Sequence, residues 1–328
     1  MRTSARRGRA SPYPQEASIV SIAVLFPGQG SQYPGMADPW REHAAGAAVL
    51  DEVSEALGYD VVEACRDEER LADTAVVQPA LFACDLAAAR VLEAEGATFA
   101  MAAGHSVGEF VALAASGATD PIATLHALVE RGRAMQDAGR EQPGTMSALV
   151  GISPAEAEEI VRTAGRGDVL TVANENSPKQ TVVSGTLAAV ERAEDLARSR
   201  GAKALRLKVA GAFHSTLMQP AAPRVRKVIS GLEFRAPRFP IVPNASGRPT
   251  DQPSAMRDLL GRHVVSPVKW ERSMTAMAAA GIDLFVEAGP GDVLTKLVRR
   301  CVPGARAVTV GGPSDVKTVL DEMGAMQR

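Results

Sequence analysis

A serine flanked by glycines is the residue of this sequence whose setting points most directly to chemistry. Ser106 lies in Gly-His-Ser-Val-Gly, residues 104–108, which has the Gly-x-Ser-x-Gly spacing of a nucleophile elbow. An elbow turns sharply from a strand into a helix and exposes the serine hydroxyl, and its glycines let neighbouring chain pass close by. The helix that follows directs free N–H groups at a developing oxyanion. The pattern favours acyl chemistry with a serine nucleophile, and an ordinary tight turn is the alternative.

A nucleophilic serine needs a base, and the sequence offers five histidines. His105 adjoins the serine, so its side chain should point away from it. His43 and His126 lie in helical patterns. His214 and His263 remain as the candidate bases.

Two other segments carry polar groups that chemistry could use. Residues 27–30, Pro-Gly-Gln-Gly, directly follow a segment that is predicted to be an apolar strand. In α/β proteins, ligands bind beyond the carboxyl ends of parallel strands, which is where this loop would lie. Gln29 and the N–H groups of this loop could contact a ligand, although an ordinary strand-to-helix turn is the alternative. Arg131 and Arg133 lie in a helical segment, and their residue type alone predicts that both are solvated.

The apolar periodicity predicts the elements that must position these residues. The predicted helices cover residues 44–58, 78–96, 109–116, 121–139, 154–163, 187–199, 251–263 and 292–300. The predicted strands cover residues 18–26, 97–103, 145–151, 169–173, 181–184, 204–209, 283–288 and 307–310. Within 143–209 the order is β-α-β-β-α-β, which is typical of a ferredoxin-like unit inserted into a larger domain.

Composition restricts the classes of partner. The chain has 328 residues, 46% hydrophobic and 4% aromatic, with a net charge of -2, so neither nucleic acid nor an anionic membrane is an expected partner. Three cysteines without metal-ligand spacing indicate a reducing compartment. We find neither a signal peptide nor an uninterrupted apolar stretch of membrane-spanning length, and we expect a cytoplasmic protein.

Seven motifs occur in an order that makes a resemblance specific. Together they resemble the malonyl-CoA:acyl carrier protein transacylases and the acyltransferases of polyketide synthases over about residues 20–312. The motifs are FPGQGSQ at 26–32, QPA at 78–80, GHSVGE at 104–109, RG at 131–132, AFHS at 212–215, SPV at 266–268 and EAGPG at 287–291.

Pattern and resemblance together predict an α/β fold. An α/β-hydrolase-like large domain with a parallel sheet would comprise residues 19–142 and 210–312, and the ferredoxin-like subdomain would comprise 143–209. Residues 1–18 are predicted to be a disordered tail, and residues 313–328 a C-terminal helix or tail.

The resemblance implies a ping-pong acyl transfer. Ser106 would be the nucleophile and His214 the general base and then acid, with the histidine oriented by a backbone carbonyl near His263. The backbone N–H groups of Gln29 and Val107 would form the oxyanion hole.

The resemblance also implies the substrate contacts. Arg131 would bind the free carboxylate of a malonyl group, because a guanidinium can donate two parallel charged hydrogen bonds. Phe213 would crowd a branch on the α-carbon and so favour malonyl over methylmalonyl. Gln78 and His263 complete the predicted substrate-binding residues.

Substrates and partners follow from the same resemblance. Coenzyme A thioesters and phosphopantetheine would be substrates, and no permanent cofactor or metal is expected. The partner would be an acyl carrier protein, which is acidic, so its docking surface should be basic. The candidate docking residues are Arg299, Arg300, Lys203, Arg206 and Lys208.

Other functions use the same elbow. The preferred interpretation is a discrete acyltransferase of polyketide biosynthesis. The same type of enzyme acting in fatty acid synthesis is the alternative. Transfer of a larger acyl group between carrier proteins, hydrolysis of stalled acyl groups and a non-catalytic carrier-docking module are further alternatives. An esterase would pair Ser106 with His263 and an acid such as Asp251 or Asp258.

Overall fold

The apolar segment that precedes the Pro-Gly-Gln-Gly loop forms a strand buried on both faces. In the computed structural model, which describes residues 20–326, strand β1 spans Ile22–Phe26 and all five residues are buried. A strand with two buried faces is typical of a parallel sheet covered by helices on both sides. Successive residues contact two different hydrophobic clusters, Ile22, Val24 and Phe26 on one side and Ala23 and Leu25 on the other.

The large domain surrounds a four-stranded parallel sheet, whose strands lie in the order β2 (Met101–Gly104), β1, β7 (Leu284–Ala288) and β8 (Arg306–Val310). Before the small subdomain, β1 is followed by α1 (Ala44–Leu57), α2 (Val61–Arg66), α3 (Glu68–Ala72), α4 (Thr74–Ala94), β2 (Met101–Gly104), α5 (Gly108–Ala115) and α6 (Pro121–Glu141). The small subdomain contains β3 (Thr145–Val150), α7 (Pro154–Gly165), β4 (Leu170–Ser177), β5 (Gln180–Gly185), α8 (Leu187–Ser199) and β6 (Lys203–Arg206). The returning chain forms α9 (Ala222–Ser230), α10 (Pro253–Gly261), α11 (Trp270–Ala279), β7 (Leu284–Ala288), α12 (Val293–Cys301), β8 (Arg306–Val310) and α13 (Val316–Met326).

The small subdomain has its own sheet and its own core. Its strands are antiparallel and lie in the order β4-β5-β3-β6. Leu149, Ile160 and Val183 belong to a hydrophobic cluster between this sheet and helices α7 and α8. Strand β4 also pairs with the large domain, because Val268 N donates to Ala173 O at 2.8 Å. The prediction of an α/β fold with a parallel sheet is confirmed, and the second sheet is separate from it.

Helix α4 is the central helix of the large domain. It is the one helix within 20–326 whose length and apolarity would suit a membrane span, yet 83% of its most apolar window is buried inside the protein. Packing in the core therefore accounts for its composition.

The predicted boundaries differ from the structure where caps and long-range packing decide. Helix α4 begins at Thr74 rather than at residue 78, because Asp73 accepts a hydrogen bond from Ala75 N at 2.7 Å and caps the helix there. Pro79 consequently lies inside the helix. The predicted strand 204–209 ends at Arg206. The predicted tail, residues 1–18, lies outside the described part of the chain.

Candidate active site

Ser106 lies on the turn between β2 and α5, in a backbone conformation that needs the flanking glycines. Its φ is 52°, in the left-handed region that residues with a side chain rarely adopt. A Cβ on Gly104 would lie 1.9 Å from the carbonyl of Gly108, and a Cβ on Gly108 would lie 2.1 Å from Phe26 O. The elbow can therefore close against β1 only with glycine at both positions.

A buried asparagine from a distant segment holds the elbow. Asn244 Oδ1 accepts a hydrogen bond from Ser106 N at 2.7 Å, and its Nδ2 donates to Gly104 O at 2.6 Å. Asn244 N donates to Glu109 Oε2 at 2.8 Å. Asn244 was not among the residues predicted from the sequence, where its local signal is its place in a proline-punctuated segment.

His214 is the histidine that contacts the serine. Its Nε2 lies 2.9 Å from Ser106 Oγ, and its Nδ1 lies 3.2 Å from His263 O and 3.0 Å from Ser266 O. Backbone carbonyls only accept hydrogen bonds, so Nδ1 carries the ring proton and Nε2 presents its lone pair to the hydroxyl. The carbonyls occupy the place that a carboxylate fills in a Ser-His-Asp triad.

The surroundings of His214 keep its ring neutral. Burial, with the positive charge of Arg131 and the neighbouring His105, lowers the pKa of His214 to about 3. The imidazole is therefore unprotonated at neutral pH and available as a general base.

Arg131 is completely buried beside the nucleophile, so the expectation from residue type that it is solvated is wrong. Its Nη1 donates to Gln78 Oε1 at 2.7 Å, and its Nη2 donates to Ser106 Oγ at 3.0 Å. Because a guanidinium can only donate, the serine hydroxyl keeps its own proton for His214. Arg133, two residues later on α6, is exposed as predicted.

The guanidinium remains charged despite its burial. Burial lowers the pKa of Arg131 to about 10, and the nearby carboxylate of Glu109 opposes this shift. Burial raises the pKa of Glu109 to about 7, against the hydrogen bond from Asn244 N and the charge of Arg131. A buried cation thus lies next to the serine oxygen.

The remaining predicted site residues lie around the same serine. Gln78 is buried and fixes Arg131, and Phe213, 6% exposed, lines the cleft beside His214. The His263 ring does not reach the serine, and its Nδ1 lies 3.4 Å from Arg131 Nη2. Gln29 and Val107 also line the cleft, and within residues 20–326 neither backbone N–H donates a hydrogen bond.

The cleft lies between the two sheets and has a volume of about 220 Å³. Met146, Ala148 and Val182 line it from the small subdomain, opposite Ser106 on the large domain. Within residues 20–326, no three His, Cys, Asp or Glu side chains are grouped to hold a metal ion.

His105 joins the elbow to the small subdomain. Its Nε2 lies 2.9 Å from Asn176 Oδ1, and its ring packs on Trp270 with a centroid separation of 5.3 Å. The ring is thus directed away from the contact between Ser106 and His214, as expected from its place beside Ser106, and it contributes to the wall of the cleft.

The structure distinguishes among the predicted docking residues. Arg300 is exposed and its Nη1 donates at 2.5 Å to Gln180, which lines the cleft. Arg299 donates to Ala307 O at 3.0 Å instead, and Arg206 is paired with Glu194 at 2.7 Å. Lys203 and Lys208 are exposed at the edge of the small subdomain.

The esterase arrangement considered from the sequence is wrong for this fold. Asp251 and Asp258 are exposed, and the histidine that contacts Ser106 is His214 rather than His263. In chain order, His214 follows the small subdomain.

Comparisons with known proteins agree with the motifs. The acyl transferase domain matches residues 24–320. The malonyl CoA-acyl carrier protein transacylase of Escherichia coli K12 is 37% identical over 308 residues, which are 92% of this chain and 100% of that protein. The structure of the malonyl CoA-acyl carrier protein transacylase from Coxiella burnetii has a TM-score of 0.89 at 34% identity and covers 93% of this chain and 98% of its own.

A third match comes from a complex. The structure of a type II PKS acyl-carrier protein with its malonyl-transacylase matches with a TM-score of 0.88 at 34% identity, over 92% of this chain and 99% of that one. The resemblance inferred from the motifs is confirmed. The protein described here is an enzyme that belongs to the acyl transferase domain family.

Proposed function

We propose that this enzyme transfers a malonyl group from coenzyme A, through an ester on Ser106, to the phosphopantetheine thiol of an acyl carrier protein. The observation that carries the proposal is the buried, charged guanidinium of Arg131, whose Nη2 lies 3.0 Å from the nucleophilic oxygen. A cation at that position suits an acyl group with a free carboxylate. An uncharged acyl chain would leave the guanidinium facing apolar substrate at the cost of an unpaired buried charge.

In the first half-reaction Ser106 Oγ attacks the thioester carbonyl carbon and its proton passes to His214 Nε2. The negative charge that develops on the carbonyl oxygen would be stabilised by the free N–H groups of Gln29 and Val107. Collapse of the tetrahedral intermediate breaks the C–S bond. The departing sulfur takes the proton from His214, which returns to its neutral form.

The second half-reaction reverses these roles with a different thiol. The phosphopantetheine thiol gives its proton to His214 and attacks the ester carbonyl, and Ser106 recovers the proton as it leaves. The two carbonyl acceptors on His214 Nδ1 would stabilise the transient imidazolium, against burial and the charge of Arg131, which favour the neutral ring.

Phe213 supports a preference for an unbranched unit. Its ring lines the cleft next to His214, where the α-carbon of a malonyl ester would lie. One methyl group in such a pocket is worth about 1–3 kcal/mol of discrimination. We therefore propose malonyl ahead of methylmalonyl as the transferred unit.

The carrier protein would approach the mouth of the cleft. Arg300 is the docking candidate with the best support, because it is exposed beside a cleft-lining residue, whereas the charge of Arg206 is already paired. A carrier of polyketide biosynthesis remains our proposed partner, with a fatty acid carrier as the second possibility, and we propose that the reaction takes place in the cytoplasm.

We assign the two parts of the fold in the same way. The sheet order and the β-α-β-β-α-β sequence of the small subdomain support a ferredoxin-like unit over residues 143–209. The elbow at the end of β2 supports an α/β-hydrolase-like description of residues 19–142 and 210–312.

Transfer assays test the proposal. Malonyl-, methylmalonyl- and acetyl-CoA are offered as donors with a phosphopantetheinylated carrier of each pathway as acceptor, and acylated carrier is measured by mass spectrometry. We expect malonyl-carrier as the main product and its loss in His214→Ala. Efficient transfer of acetyl but not malonyl would refute the proposal.

A further inference from the structure

The His263 side chain lies between the buried cation and the buried carboxylate of the site. It is 1% exposed, its Nδ1 lies 3.4 Å from Arg131 Nη2, and its Nε2 lies 3.5 Å from Glu109 Oε2. Asn244 Oδ1 is a second oxygen near Nε2, at 3.4 Å. The reaction described above uses the backbone carbonyl of His263, and no step of it uses the ring.

These contacts fix the protonation of the ring. The guanidinium of Arg131 can only donate, so His263 Nδ1 must be the acceptor and carry no proton. The single ring proton then lies on Nε2, which faces two oxygen acceptors, Glu109 Oε2 and Asn244 Oδ1. A second proton on Nδ1 would point at a positive charge.

The other charged groups around the ring favour the same neutral form. Burial lowers the pKa of His263 well below its usual value, and the positive charge of Arg131 acts in the same direction, as a proton on His214 or His105 would. Glu109 is the one acidic group that faces the ring among the described contacts. The ring is thus a neutral link that accepts from the cation and donates towards the carboxylate.

We propose that the His263 side chain is a positioning residue that holds the Arg131 guanidinium in place for the carboxylate of the acyl group. The inference rests on the proposed malonyl function. Gln78 holds Nη1 and His263 holds Nη2, so the guanidinium plane is fixed from two sides. Without the imidazole, Gln78 and the reacting oxygen of Ser106 would be the hydrogen-bond partners left to orient the group, and recognition of a carboxylate would weaken more than the chemistry at Ser106.

The kinetic test compares a charged with an uncharged acyl group. His263→Phe keeps an aromatic ring but removes both nitrogens, and His263→Asn restores an acceptor near the place of Nδ1. The readout is the ratio of kcat/KM for malonyl-CoA to that for acetyl-CoA in loading of the enzyme. We expect the ratio to fall about ten- to a hundredfold in His263→Phe, because that variant loses a hydrogen bond to a charged group. The ratio should recover largely in His263→Asn.

A purely structural role for the ring predicts a different result. If His263→Phe only displaced the backbone carbonyl that orients His214, loading from both donors would fall equally and the ratio would stay unchanged, which would overturn the proposal. His126→Phe, on the outer side of α6, is the matched control and should keep the wild-type ratio.

A second measurement needs no substrate. The ¹⁵N chemical shifts of the His263 ring should report a neutral imidazole with its proton on Nε2 from pH 8 to pH 5.5. A proton on Nδ1, or an imidazolium above pH 6, would overturn the inference. Failure of the wild-type enzyme to accept malonyl-CoA would instead refute the proposed function, and the two failures are therefore distinguishable.

Discussion

Replacing Arg131 with alanine should convert a malonyl-selective site into a weakly discriminating one. In the wild-type enzyme the guanidinium is buried, charged and 3.0 Å from Ser106 Oγ through Nη2. A malonyl carboxylate in the Arg131→Ala cleft would be buried without a partner. Leaving one member of a buried ion pair unpaired costs about 3–5 kcal/mol, which corresponds to a loss in malonyl loading of roughly 150- to 5,000-fold.

An acetyl group loses much less in the same variant. It has no carboxylate, so among the contacts with reacting atoms the change removes just the hydrogen bond from Nη2 to the serine oxygen, and we expect a loss of about tenfold or less. The kcat/KM ratio of malonyl-CoA to acetyl-CoA should thus fall by at least about tenfold, the difference between these two losses. Arg131→Lys keeps a charge but cannot bridge Gln78 and Ser106, so it should regain little of the ratio.

Rapid-quench loading followed by intact-mass analysis gives both kcat/KM values. Arg133→Ala is the matched control, because Arg133 lies on the same helix but is exposed, and it should behave like the wild type. Melting temperatures identify any variant that is merely unfolded. Equal losses with malonyl- and acetyl-CoA in a folded Arg131→Ala enzyme would refute the role of the guanidinium in recognising the carboxylate.

Three further changes follow from the geometry. Because the pKa of His214 is lowered to about 3, its ring stays neutral as the pH falls from 8 to 5. The value of kcat/KM for malonyl loading should therefore not decline over this range. A decline centred near pH 6.5 in the pH–rate profile would contradict this expectation. Asn244→Ala leaves two backbone groups of the elbow, Ser106 N and Gly104 O, without their partner. The free energy of unfolding, measured by urea titration, should fall by about 2–4 kcal/mol. An unchanged value would show that the elbow does not need the Asn244 side chain. Gly108→Ala places a Cβ 2.1 Å from a carbonyl oxygen of β1 and should yield no folded enzyme by circular dichroism. Gly231→Ala is the control, because its Cβ would lie 3.4 Å from the nearest atom, and it should melt close to the wild type. Equal melting temperatures for the two variants would contradict the packing described for the elbow.

Local patterns predicted much of the fold because their causes are local. A helix was predicted to begin at residue 154, and the structure has a full capping box there, in which Ser153 caps the helix and Glu156 is the reciprocal partner. The Gly-x-Ser-x-Gly segment likewise predicted a strand, a turn and a helix, since only glycine permits such a close turn. These features depend on neighbours within a few residues.

The site itself could be predicted only in part because its contacts join distant segments. Asn244 is 138 residues away in sequence from Ser106, and Arg131 is 25 residues away from it. Neither contact therefore leaves a periodic signal in the sequence. Residue type alone placed Arg131 in solvent, whereas Gln78 and Glu109 make its burial possible. Helix α9 was not predicted, because prolines interrupt the apolar pattern around it, and helix α11 was not predicted although no proline or glycine lies within it.

The acyl-enzyme tests the central claim most directly. The protein is incubated with malonyl-CoA without any carrier, its intact mass is measured, and the modified peptide is sequenced. We predict one malonyl group per chain, located on Ser106 and absent from Ser106→Ala. No adduct on the wild-type enzyme, or an adduct that persists in Ser106→Ala, would contradict the account.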